Sequence, residues 1–187
     1  IREIAVECGG RVEYASGYGA GSDHRQDLID EAVAVARHAD VAIVFVGLPA
    51  ASETEGLDRT HLGLPEEHDR LIDAVTGVNR RTVVVLVNGA PVVMPWVDGP
   101  AAILEANLGG EAAGAAIADV LYGRSEPGGR LAETFPIRLA DVASSQWFPG
   151  ETRQVEYREG LFVGYRWFDT AGVDVLFPFG HGLSYTT

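Results

Sequence analysis

Cysteine is nearly absent: Cys8 stands alone in 187 residues. No disulfide within the chain and no cysteine-built metal centre is available, and a reducing, cytoplasmic setting is the expectation. Basic residues are scarce. Fourteen Lys and Arg face 27 Asp and Glu, for a formal net charge of -13. Phosphate binding needs clustered cations, so this balance argues against a nucleic-acid partner and against docking on an anionic membrane. No apolar run reaches the roughly 18 residues of a membrane span. No charged-then-apolar leader is visible before the first element, and the chain reads as a piece of something longer. Familiar motifs are missing too. The glycine-rich GYGAGS lacks GxGxxG spacing, and no GxxxxGK[ST] occurs, which argues against a nucleotide site. His24, His38, His61, His68 and His181 are scattered and form no HExxH, so neither a metal nor another cofactor is expected. No GxSxG elbow presents a serine nucleophile.

What remains is a globular composition, 47% hydrophobic and 22% charged. Ile1 to Glu7 reads as a short helix and Arg11 to Ala15 as a short strand. Asp23 with Gln26 resembles a capping box. A helix over about Gln26 to Ala39 sets Leu28, Ile29, Ala32, Val33 and Ala36 on one side. VAIVFVG, TVVVLVNG and AAILEANL read as strands buried on both faces, the pattern of a parallel sheet. A helix opening at Pro65, Glu66 and Glu67 presents Leu71, Ile72 and Val75. GGEAAGAAIADVLYG reads as a helix packed through Ala113, Ala116, Ile117 and Val120, and Gly123 is its stop. A short strand is expected around Leu131 to Thr134. The last fifty or so residues hold most of the aromatics and too few helix signals for another βα unit. Alternating strands and helices predict an α/β fold with an open, mostly parallel sheet covered by helices on both faces.

The loops at the carboxyl ends of such strands are the working loops: Gly47 to Pro65, Asn88 to Asp98 and Asn107 to Gly110. The first contains AASETEGLDRTHLGLP and far exceeds a common βα connection of roughly 2–6 residues. In extended backbone Glu53 and Glu55 face opposite sides. Gly56 permits a sharp path, and Asp58 and Arg59 can pair or anchor the loop. A projecting carboxylic acid serves as a general acid when its pKa is raised, although a solvated acidic loop has the same composition. Glycoside hydrolysis needs a second carboxylate, and no matching partner is evident here.

Five segments in this order carry a resemblance: SETEGLDRTHLGLPEEHDRLIDAV, TVVVLVNGAPVVMPW, ILEANLGGEAAGAAIADVLYGRSEPGGRLAETFP, YREGLFVGYRWFD and FPFGHGLSYTT. Together they closely resemble the C-terminal α/β-sandwich domain of glycoside hydrolase family 3 β-glucosidases, from about Asp27 to Thr187. The resemblance implies a three-layer α/β/α sandwich around an about six-stranded sheet, spanning residues 1–187 as one domain with an aromatic-rich C-terminal tail. It implies a retaining β-glucosidase in which this domain lends an acid/base loop to a site shared with an N-terminal TIM barrel carrying the nucleophile. The match points to Glu55 as acid/base, with Glu53 the runner-up, and to Gly56, Asp58 and Arg59 as loop support or substrate-binding residues. The implied partners are that barrel and a β-glucoside or oligosaccharide. A barrel of roughly 250 residues does not fit beside the sandwich, so the chain alone is expected to be inactive. The alternative is a non-catalytic scaffold or carbohydrate-binding module. Asn107 stands where relatives commonly have Trp, and Ala112 where they often have Glu. Tyr157, Phe162, Tyr165 and Trp167 either stack on sugar or form a satellite core.

Overall fold

The three apolar runs become strands β1 (Ala42–Gly47), β2 (Thr82–Val87) and β3 (Ala102–Glu105), hydrogen-bonded in the order β1-β2-β3. All neighbours are parallel, with Ala42 opposite Thr82 and Val83 opposite Ala102. Parallel pairing requires a crossover, and α2 (Glu66–Val78) supplies it between β1 and β2. It packs on both strands and on α1 (Gln26–His38). Ile72 of α2 and Val84, Val85 and Leu86 of β2 are fully buried and form the centre of the core. The computed structural model describes residues 1, 3, 4, 6, 9–19 and 24–186. These fall into two compact units, one holding β1, β2 and β3 and the other holding most of the chain after Pro127.

α1 buries Ile29 and Ala36 and half-buries Leu28, Ala32 and Val33, as the periodicity predicts. Its N-cap is Arg25, without a side-chain cap bond. Gln26 donates instead to Asp30 at 2.9 Å; Asp23, its expected capping partner, lies outside the described residues, as does Cys8. Arg25 grips Asp27 and holds its carboxyl below the ordinary aspartate value, chiefly through their hydrogen bond. Pro65 is the N-cap of α2 rather than its first helical residue. Inside α2, Asp69 accepts from the Trp96 indole N–H at 2.7 Å. Burial raises the Asp69 carboxyl, against that hydrogen bond.

Asn79 ties α1 to α2. Its amide donates to the carbonyls of Ala36 and Ala39, both at 2.9 Å, and its Oδ1 accepts the Arg81 N–H at 2.9 Å. The Ala39 carbonyl at the end of α1 relies on this side chain, and the Ala36 carbonyl shares it with the Ala39 N–H at 3.3 Å. Asn79→Ala leaves buried groups unpaired and is expected to cost about 1–3 kcal/mol, seen as a lower denaturation midpoint.

Several expectations shift. Among the described residues there are five strands, three in the parallel sheet, against the six or so implied. Arg11 to Ala15 is not a strand; Val12 and Tyr14 are exposed, and a strand exists only where a neighbour pairs with it. Helix α3 (Ala113–Leu121) buries Ala118, while Ala116 is exposed. Gly123 ends it at φ 70, the left-handed conformation glycine adopts without strain. Of the expected helix over Ile1 to Glu7, the described residues Glu3, Ile4 and Val6 are helical.

The second unit pairs β4 (Phe135–Pro136) antiparallel with β5 (Val175–Phe177). β4 thus begins just past the Leu131 to Thr134 window. A helix absent from the sequence reading, α4 (Tyr165–Ala171), starts after Gly164 at φ 57 and ends at Gly172 at φ 63. Phe168 and Phe135 are buried, and the Trp167 indole donates to the Asp141 carbonyl at 2.9 Å. Tyr157, Phe162 and Tyr165 are exposed, Tyr157 by 85%. A two-stranded ribbon and a two-turn helix cannot cover so many rings, so the satellite core is small. His181 stacks on Phe177 at 4.9 Å, a packing role.

Candidate active site

Because β1, β2 and β3 are parallel, their carboxyl ends share one edge of the sheet, where α/β folds hold their ligand-contacting loops. The first loop leaves β1 at Gly47 and contains no helix or strand before α2. It turns early: the Ser52 N–H donates to the Pro49 carbonyl at 2.8 Å, and the Glu53 N–H to that of Ala50 at 3.3 Å. Glu55, Gly56 and Asp58 are exposed, and Arg59 is half-buried. Among the described residues Glu55 has no hydrogen-bond or ion-pair partner. A Cβ at Gly56 would meet open space, and its φ lies outside the left-handed region, so the sharp path expected there makes no steric demand for glycine.

The two glutamates meet different surroundings, but the loop turns at residues 50–53 and 54–57, so the extended backbone behind the expected alternation is absent. Glu53 is half-buried and turns back to the sheet, where its Oε1 accepts the Gly89 N–H on the loop after β2. Beside it lies a set of residues that sequence reasoning passed over. Asn88, 1% exposed, donates to the Ala90 carbonyl at 3.0 Å and to Glu105 Oε2 at 3.3 Å. Glu105 Oε1 accepts the Asn107 N–H at 3.0 Å. The available signal was a polar residue closing each apolar run, Asn88 after TVVVLV and Glu105 after AIL. Asn107 sits at φ 50, a conformation asparagine tolerates far better than a bulky residue does, which gives the Asn at this position a backbone role. Ala112 is the N-cap of α3 and makes no side-chain cap bond.

Burial raises the Glu105 carboxyl above its ordinary value of 4.5. Hydrogen bonds from Asn107 and Asn88 oppose that rise, and the nearby Glu53 adds to it. A carboxyl raised in the folded state contributes stability that is fully present below its unfolded value and is lost as pH rises through the folded one. Glu105→Gln removes the charge that must be desolvated. Its stability relative to the wild type is expected to improve as pH rises from about 4 to neutrality, on top of a pH-independent offset from the amide that replaces one of the two accepting oxygens. Paired unfolding curves across that range measure the effect.

The chain is similar to known proteins along its length. It is 56% identical over 174 residues to the thermostable β-glucosidase B of Acetivibrio thermocellus, a match covering 92% of this chain and 23% of that protein. It is 42% identical over 187 residues to an exo-α-(1→6)-L-arabinopyranosidase of Bifidobacterium breve, covering 99% of this chain and 25% of the other. The structure superposes on that of a family 3 β-glucosidase of Bifidobacterium adolescentis with a TM-score of 0.90 at 43% identity, over 98% of this chain and 28% of that one. The chain therefore spans about a quarter of the length of the curated relatives it matches. The model of the glycosyl hydrolase family 3 C-terminal domain matches residues 2–185. With its α/β fold and parallel sheet, the chain belongs to the C-terminal domain family of the family 3 glycosyl hydrolases.

Proposed function

We propose that this domain supplies Glu55 as the acid/base of a retaining β-glucosidase, whose nucleophile and sugar pocket lie on an N-terminal TIM barrel of the same parent protein. The observation that carries this reading is Glu55 itself, exposed and without a hydrogen-bond or ion-pair partner among the described residues, on the long loop at the carboxyl edge of a parallel sheet. Relatives named as β-glucosidases, several times longer than this chain, support it. Asp58 and Arg59, next along the loop, are the residues to brace it or touch substrate. In this proposal residues 1–187 form one domain, and in the complete enzyme the sheet reaches the six or so strands of a three-layer sandwich.

The chemistry runs in two displacements. The barrel nucleophile attacks the anomeric carbon while Glu55, protonated, gives its proton to the departing glycosidic oxygen. Glu55, now a carboxylate, takes a proton from water. That water then attacks the anomeric carbon and releases the sugar with its configuration retained. The two carboxyl groups approach to roughly 5–5.5 Å in such enzymes. Contacts that select the sugar belong to the barrel. A relative named for a different substrate, the arabinopyranosidase, keeps 42% identity over this domain and supports that division. The exposed aromatics of the tail, Tyr157, Phe162 and Tyr165, are candidates to be covered in the whole protein. Loss of turnover in Glu55→Ala, measured in the complete enzyme, is the test.

A further inference from the structure

We propose that Glu53 is a positioning residue that latches the acid/base loop to the sheet and so sets where Glu55 stands. The inference rests on the reading of Glu55 as the acid/base. The latch has three parts. Glu53 Oε1 accepts the Gly89 N–H, joining the loop after β1 to the loop after β2. Gly89 follows Asn88, whose buried amide is held by the Ala90 carbonyl and by Glu105 Oε2. Glu105 is in turn held by the Asn107 N–H at the start of the loop after β3. One chain of hydrogen bonds thus spans all three loops and ends on Glu53, two residues from Glu55.

Gly89 leaves room for this contact. A Cβ there would stand 2.8 Å from Leu108 Cδ1 and 3.1 Å from Glu53 Oε1. Leu108 is exposed and yields, but the carboxylate is already committed to the backbone N–H and does not. The loop has few other ties: the remaining backbone bonds between Ala50 and Asp58 are turns closed within the loop itself. Among the described residues the Glu53 bond is the tie to the sheet that stands nearest Glu55 in the chain, so its loss frees the height of Glu55 above the sheet edge. A displacement of about 1 Å at a reacting group is worth about 10²-fold in rate.

The latch and a second catalytic acid differ in what an amide does. An amide oxygen accepts the Gly89 N–H as a carboxylate does, but it transfers no proton. In the complete enzyme, Glu53→Ala is expected to lower kcat/KM about 10²-fold for methyl β-glucoside, whose leaving group needs a well-aimed acid. For dinitrophenyl β-glucoside, which departs without protonation, the loss is expected to stay under about threefold. Glu53→Gln is expected to recover most of the loss on methyl β-glucoside. Equal damage from Glu53→Gln and Glu53→Ala, or a uniform loss across both substrates, overturns the latch. If Glu53→Ala does not fold, Glu53→Asp, whose carboxylate falls one methylene short of the Gly89 N–H, replaces it: loss on methyl β-glucoside with Glu53→Asp but not with Glu53→Gln supports the latch, and equal activity of the two overturns it. Glu55→Gln run alongside separates the two readings, because its full activity on methyl β-glucoside defeats the acid/base assignment whatever the Glu53 variants do.

Discussion

Replacing Glu55 with alanine in the complete enzyme is expected to reduce kcat/KM on alkyl glucosides by about 10²–10⁴-fold, the range a positioned general acid contributes. The loss is expected to depend on the leaving group. An alkoxide is a poor leaving group and needs the proton Glu55 gives. A dinitrophenolate leaves unaided, so the first displacement survives and the glycosyl enzyme forms. The second displacement then lacks its base and accumulates that intermediate, so kcat falls even for the activated substrate while KM falls with it. A burst of dinitrophenolate in the first turnover is the kinetic mark of this pattern. Asp58→Ala, three residues along the loop, does not remove the proton donor, so it is expected to show no such burst.

Gly47→Ala is expected to do comparable damage through structure. Gly47 closes β1 opposite Val87, and the next residue, Leu48, donates its N–H to the Val87 carbonyl at 3.2 Å. A Cβ at position 47 would lie 1.9 Å from Val87 O and 2.8 Å from its carbonyl carbon. Both are backbone atoms of the central strand, whose neighbours Leu86 and Asn88 are fully buried, so they have no direction in which to yield. The last β1–β2 bond must break, or the strand must shift. The expected cost is about 3 kcal/mol or more, or roughly 10 °C in the midpoint of a domain of this size. Because the loop proposed to carry the acid/base begins at Leu48, the same substitution is expected to lower turnover in whatever fraction of the complete enzyme stays folded. Thermal unfolding and activity of the one variant measure both effects.

Much of this architecture is legible in the chain itself, for physical reasons. The apolar runs of β1, β2 and β3 announce themselves without any knowledge of their neighbours, although burial on both faces fits only β2 well: β1 alternates buried with half-buried residues, and β3 has Ala102 exposed and the rest half-buried. The apolar stripe of α1 does the same. Glu53 bonds to Gly89 while Glu55 is exposed, a difference made by turns in the loop and not by the alternation of an extended strand. Residues whose role depends on a distant partner are not legible. Asn79 is an ordinary loop residue until Ala36 and Ala39 are found beside it, more than thirty residues away in sequence. Asn88 and Glu105 lie 17 apart in the chain and meet only because β2 and β3 are neighbours. The tail misled in the other direction. Its aromatics promise a core, and the elements that would bury Tyr157 and Leu161, 85% and 84% exposed, are not in the unit that carries them.

The central claim, that Glu55 is the acid/base, is tested most directly by adding azide to the Glu55→Ala enzyme with dinitrophenyl β-glucoside and identifying the sugar product. Azide needs no base. It attacks the anomeric carbon of the glycosyl enzyme from the side Glu55 once guarded and displaces the barrel nucleophile. The account predicts restored turnover and β-glucosyl azide as the product. Glucose as the sole product, at a rate indifferent to azide, would contradict it.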